Sequence, residues 1–170
     1  MESIMKKRWI SLYVENEVGV LAKIAGLFSG KSYNLESLTV GETQDKTVSR
    51  MTISVTSDDR TFEQIKKQLN RSVEVIKVID FTNIPIHMKE ILYIKVTNCT
   101  TQDKEEIFRI AQVFHLNVVD YDKKNVLIEC IKTEAKNNEM IELFQNLFLN
   151  RVEIVRGGSV AVESISVNER

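Results

Sequence analysis

The chain has 170 residues and a mass of 19.6 kDa, which allows one ordinary domain or two small ones. Hydrophobic residues make up 43% and charged residues 28%, ordinary values for a globular protein that argue against collagen, coiled coil or disorder. The 23 basic and 24 acidic residues give a net charge of -1. That balance argues against a protein whose main task is to bind phosphate backbones.

Other simple features restrict the class of protein further. No apolar run approaches the ~20 residues that cross a bilayer, and no signal-peptide core follows the basic residues at 6–8, so we expect a cytoplasmic protein. Cys99 and Cys130 form no CxxC pair and are expected to be free thiols. His87 and His115 have no partner at metal-ligand spacing, so no metal site is predicted.

The first half of the chain alternates between two apolar periodicities. They predict the order β-α-β-β-α-β, with strands in residues 8–14, 35–40, 48–55 and 73–79. The first helix is predicted to bury Val20, Leu21, Ile24, Leu27 and Phe28 on one face. The second is predicted to start at Asp58 or Asp59 as N-cap and to bury Phe62, Ile65 and Leu69.

The same order returns after Pro85, the only proline of the chain. Strands are predicted in residues 92–96, 116–121, 125–130 and 152–155. One helix is predicted to follow a cap at Thr100 or Thr101 and to bury Ile107, Ile110, Ala111 and Phe114, and another to bury Met140, Leu143, Phe144 and Leu147.

Each half is therefore predicted to be a split βαβ unit of the ferredoxin-like, α+β class. Because proline holds its predecessor extended and cannot donate to a strand ladder, the boundary is placed near it, with domains at 1–82 and 83–170. Two small antiparallel sheets with open edges favour association with a second copy.

The turn between the first strand and the first helix is the most informative segment. The first amides of a helix lack internal partners and can hold a carboxylate or phosphate. Gly19 leaves open space at that point, and Asn16 offers both an amide donor and a carbonyl acceptor. The alternative is that Gly19 only forms the turn and Asn16 only caps the helix. On the third strand, Arg50 is expected to be solvated, as charged residues on sheet faces usually are.

Four stretches of this sequence carry a family resemblance. They are Val14-Glu15-Asn16-Glu17-Val18-Gly19-Val20-Leu21, Gly26-Leu27-Phe28-Ser29, the run from Tyr33 to Val40, and Ser49-Arg50-Met51-Thr52-Ile53. Together they closely resemble the ACT domain of the regulatory small subunit of acetohydroxyacid synthase, also called acetolactate synthase. Residues 88–163 resemble the C-terminal domain of that family more weakly.

The resemblance implies a non-catalytic subunit that binds a separate catalytic large subunit, raises its activity and makes it sensitive to branched-chain amino acids, mainly valine. It implies a homodimer formed through ACT domains and no cofactor in this subunit, with thiamine diphosphate, Mg and FAD on the catalytic subunit. The effector would lie between the turn of one chain and a strand start of the other. The residues carried over to that site are Asn16, Gly19, Val20, Leu21, Asn34 and Leu35.

Three alternatives remain at this stage. An RNA-binding ferredoxin-like module would present aromatic residues on its first and third strands, and the third strand here has none. A freestanding enzyme would need a catalytic constellation, and none is evident in the sequence. The remaining alternative is an ACT-type amino-acid sensor for some other enzyme, which capture of a thiamine-diphosphate-dependent synthase would distinguish.

Overall fold

The computed structural model describes residues 4–29, 33 and 35–166. The chain forms two compact units. Unit 1 comprises the chain up to His87 together with the segment that begins at Val160, and unit 2 comprises Met88–Ser159. Each unit has its own hydrophobic core and its own four-stranded antiparallel sheet.

Unit 1 has the predicted β-α-β-β-α-β order. Its elements are β1 (Lys6–Glu15), α1 (Val20–Ser29), β2 (Leu35–Glu42), β3 (Val48–Ser57), α2 (Asp59–Leu69) and β4 (Val75–Asp80). The strands lie in the order β2-β3-β1-β4. This order brings β1 and β3 to the centre, and both helices pack their apolar residues on one face of the sheet.

The period-two pattern of β1 explains how this core forms. Ile10, Leu12 and Val14 are buried against the helices, because successive side chains of a strand point to opposite faces. Asp58 is the N-cap of α2, and its carboxylate accepts a hydrogen bond from the Thr61 amide at 2.7 Å.

Unit 2 repeats the pattern. Its elements are β5 (Ile86–Val96), α3 (Thr101–Phe114), β6 (Asn117–Tyr121), β7 (Val126–Lys132), α4 (Glu134–Leu147) and β8 (Val152–Glu163), in the order β6-β7-β5-β8. Thr100 caps α3 in a complete capping box with Asp103. The predicted fold class, two tandem ferredoxin-like units, is confirmed.

Some predicted strand and core positions are wrong. Val73 precedes β4 in a turn and is exposed. Leu21, Phe114 and Leu147 are also exposed, because each lies at the margin of its helix's apolar stripe, and the buried stripe is narrower than the apolar pattern. Neither of the longest described helices exceeds 14 residues, and no helix in the described ranges is long and apolar enough to cross a membrane.

The strands at the unit boundaries are longer than predicted. β5 starts at Ile86, directly after Pro85, and β8 continues to Glu163. The end of β8 and the residues after it, 160–166, form what we call the covering segment, which belongs to unit 1. The Ser164 amide donates to the Pro85 carbonyl at 2.8 Å.

The covering segment lies against the face of the unit 1 sheet that carries no helices. On this face Ser11, Thr52 and Ser54 are buried. Arg50 of β3 reaches from it to the Ala161 carbonyl at 3.3 Å and to the Glu163 carboxylate at 3.2 Å. The expectation that Arg50 is merely solvated is therefore wrong, because this segment covers the sheet face from which the side chain projects.

Candidate functional site

The turn from β1 to α1 is held in place by the loop between β2 and β3. The Asn16 backbone amide donates to the Thr47 carbonyl at 2.8 Å, and its side-chain Nδ2 donates to the Lys46 carbonyl at 2.9 Å. Gly19 has a φ of +87°, a backbone conformation that other residues rarely adopt. The Asn16 side-chain amide thus fixes the turn against a neighbouring loop, and glycine permits the turn's shape.

Helix α1 begins with backbone amides of which some are bonded within the turn and helix. The Val20 amide donates to the Glu17 carbonyl at 3.3 Å, and the Lys23 amide donates to the Gly19 carbonyl at 3.0 Å. Leu21 and Ala22 lie between them in the first turn, where an α-helix supplies no internal acceptor. Their amides stand at the positive end of the helix dipole, a suitable place for a carboxylate.

Acidic side chains surround the same turn. Asn16 Nδ2 also lies 3.3 Å from Oε1 of Glu42. Glu74 pairs with Lys23, and this hydrogen bond, with a second from Ser72, lowers the pKa of Glu74 to about 2. Glu74 is therefore ionised at neutral pH and neutralises the lysine of α1. A ligand here meets helix amides that suit a carboxylate and acidic oxygens that suit an ammonium group, the two charges of an amino acid.

The six predicted site residues differ in how the structure places them. Asn16 and Gly19 are exposed on the turn, and Leu21 is 43% exposed beside it. The Val20 side chain is buried in the core, so only its backbone faces the turn. Leu35 is partly buried and packs against the same core. Asn34 lies outside the described residues.

The two halves of the predicted site do not meet within one chain. The last residue of β1, Glu15, pairs with Val48 on β3, whereas Leu35 at the start of β2 pairs with Val55. The two pairs are seven residue steps apart along β3, a distance of about 23 Å at the usual rise of a strand. The turn and the start of β2 therefore lie at opposite ends of one sheet.

Sequence reasoning missed the contribution of the β2–β3 loop. Lys46 and Thr47 bind Asn16 through their backbone carbonyls, which carry no side-chain signature. Asp45 orders this loop by accepting from the Thr47 amide and hydroxyl at 2.9 and 2.7 Å, and these bonds lower the pKa of the Asp45 carboxyl. The only available signal was the polar run 41–46 between two strands.

Metal and thiol chemistry have no site in the described residues. Within that part of the chain, no group of three or more His, Cys, Asp or Glu side chains is placed to hold a metal ion. Cys99 and Cys130 are both buried and free, as predicted. Burial raises the pKa of the Cys130 thiol to about 11, so it stays protonated at neutral pH.

Comparison with known proteins matches both halves of the chain. Residues 10–77, which include every predicted site residue, match the AHAS small subunit-like ACT domain, and residues 89–165 match the small subunit of acetolactate synthase. The chain belongs to the acetolactate synthase small subunit family. The ACT domain of this family lies in unit 1, and the match to its second domain begins in β5 and ends in the covering segment.

Individual members of the acetolactate synthase small subunit family align along most of the chain. The acetolactate synthase small subunit of Aquifex aeolicus is 42% identical over 97% of this chain and 85% of its own length. That of Bacillus subtilis is 38% identical over 91% of this chain and 89% of its own. The crystal structure of the Thermotoga maritima small subunit matches with a TM-score of 0.82 and 34% identity, covering 94% of this chain and 98% of that one.

Proposed function

We propose that this chain is the regulatory small subunit of acetohydroxyacid synthase and acts in the cytoplasm. It binds the catalytic large subunit, raises its activity and makes it sensitive to branched-chain amino acids, with valine as the main effector. The single observation that supports this most is the match of both units to one small-subunit family. The chain supplies no cofactor, and thiamine diphosphate, Mg and FAD belong to the large subunit.

The proposed effector site has two sides. On one side, the first-turn amides of α1 at Leu21 and Ala22, which follow the internally bonded Val20 amide, receive the carboxylate, while Glu42 beside Asn16 receives the ammonium group. On the other side, Asn34 and Leu35 of a second copy complete the site. The roughly 23 Å between Leu35 and the turn of the same chain supports this division.

Reconstitution with the large subunit from the same organism tests this function. We expect acetolactate formation from pyruvate to rise when the small subunit is added, and to fall again with L-valine. D-valine is the matched control, because it has the same charges and side chain on the opposite configuration. Acetolactate formation by the small subunit alone, or no effect on the large subunit, would contradict the proposal.

A further inference from the structure

Arg50 joins the covering segment to the unit 1 sheet. Its Nε donates to the Ser11 hydroxyl at 2.8 Å and its Nη1 donates to the Tyr13 hydroxyl at 3.0 Å. Its Nη2 donates to the Ala161 carbonyl and to Glu163. The guanidinium also lies 5.1 Å from the centre of the Tyr13 ring. The guanidinium of Arg50 thus donates hydrogen bonds both to the sheet and to the covering segment.

Apolar burial contributes little to this attachment. The residues that the covering segment turns inward are small, Ala161 and Ser164, while Val160, Val162 and Ile165 are 63%, 49% and 84% exposed. On the sheet face without helices Ser11 and Ser54 are buried, and in the described structure the Ser54 hydroxyl has no hydrogen-bond partner. A contact with small residues and an unsatisfied hydroxyl is held weakly by packing. Polar contacts therefore hold the segment: the backbone hydrogen bond from Ser164 to Pro85, and the hydrogen bonds and ion pair of Arg50.

This attachment stands next to the candidate effector turn. Tyr13 and Arg50 face each other as a register pair on β1 and β3. Asn16 directly follows the end of β1, three residues after Tyr13, and its backbone amide donates to the carbonyl of Thr47, which directly precedes β3. Two adjacent paired strands therefore connect the turn to the Tyr13–Arg50 pair.

We propose that the ion pair between Arg50 and Glu163, which we call the clasp, couples the effector turn to the covering segment. Feedback inhibition then requires the clasp, whereas activation of the large subunit does not. This inference rests on the proposed function. Effector binding at the turn favours the docked segment, and by linkage the docked segment favours effector binding to the same extent. Releasing the clasp removes that mutual preference.

The test compares Glu163→Gln with Glu153→Gln in the full-length chain. Glu153 is the matched control, since it is on the same strand and pairs with the exposed side chain of Lys95 at 3.3 Å. We expect Glu163→Gln to raise the valine concentration needed for half inhibition at least about fivefold, the lower end of usual allosteric coupling. Glu153→Gln should leave it unchanged, and both variants should still activate the large subunit.

Hydrogen exchange of residues 160–166 gives an independent measurement. Valine should slow exchange of this segment in the wild-type chain and in Glu153→Gln, and should not in Glu163→Gln. The coupling role of the clasp would be overturned if Glu163→Gln were inhibited by valine as strongly as the wild type. It would also be overturned if valine did not alter hydrogen exchange of residues 160–166 in the wild type. A wild-type complex without activation or valine response would instead refute the proposed function. The two failures are therefore distinguishable.

Discussion

Gly19 is required by its backbone conformation rather than by lack of room. Its φ of +87° lies in the region that glycine alone adopts readily. A β-carbon placed there meets no heavy atom within 4 Å. Any substitution therefore strains the backbone, and only a charged one also alters the electrostatics at the start of α1. This separates the two explanations of the glycine that the sequence leaves open.

We predict that Gly19→Asp abolishes most valine inhibition while activation persists. The new carboxylate occupies the helix-start amides and repels that of the effector, so affinity should fall roughly ten- to hundredfold. Gly19→Asn is the matched control, because asparagine has the same shape and tolerates positive φ about as well. Calorimetry with valine should show a much smaller loss for Asn. Equal losses in both variants would assign the effect to backbone strain and contradict an anion site at the turn.

The contacts of Arg50 could not be predicted from the residues near it in sequence. The turn at residues 16–19 was evident because its signals are local: a strand end, a glycine and a helix start. The partner of Arg50 is Glu163, 113 positions later in the chain, and no local pattern connects them. A solvated arginine and a partly buried one look alike in sequence when the covering element comes from a distant segment.

At the scale of elements, helix starts were predicted well and strand ends poorly. Asp58 and Thr100 are the N-caps, each one of the two residues that the sequence offered. Caps are determined by contacts within three residues, whereas the ends of β5 and β8 depend on which strand lies alongside. Residues 86–91 and 156–163 extend those two strands beyond their predicted bounds, because neighbouring strands in a sheet satisfy each other's backbone groups.

The start of α3 carries a pH-dependent contribution to stability. Asp103 accepts from Nη1 of Arg151 at 2.8 Å and from the Thr100 amide at 2.8 Å. These two bonds, that from Arg151 first, hold the pKa of the Asp103 carboxyl well below its usual range. Because the folded pKa is lower than the unfolded one, this stabilisation is present above about pH 4 and declines as pH falls toward the folded pKa.

We predict that Asp103→Asn lowers the free energy of unfolding at pH 7 by about 1–2 kcal/mol. The difference from wild type should shrink as pH falls below about 4, since the unfolded wild-type carboxylate then becomes protonated. Glu106→Gln is the control on the same helix, because Glu106 pairs with Arg109 on an exposed surface and should change stability little. Urea unfolding at pH 7 and pH 3 measures both. A pH-independent difference would argue against the carboxylate as its source.

At the scale of the whole molecule, the candidate site is divided between the two ends of a sheet. The α1 turn lies at one end and the start of β2 at the other. The topology of the unit was predictable from hydrophobic periodicity, and with it the positions of both ends. The edge that a second copy would take was not predictable, since the sequence indicates open edges without distinguishing between them.

We predict that the chain is a homodimer and that its effector sites are shared between copies. Sedimentation equilibrium at micromolar concentration should give at least twice the chain mass of 19.6 kDa. A mixed dimer of one Gly19→Asp chain and one Asn34→Ala chain should have one intact effector site out of its two. It should therefore bind valine better than the homodimer of either variant. A monomer, or mixed dimers that bind no better than their parents, would refute the shared site.

The covering segment also has a consequence for how the protein is made. Because unit 1 includes the chain from Val160 onward, the helix-free face of its four-stranded sheet can be covered by this segment only after all of unit 2 has left the ribosome. Until then Ser11, Thr52 and Arg50 have no cover during synthesis. Their polar character suits this interval, since a nascent sheet with a serine- and threonine-lined face is less prone to aggregate than an apolar one.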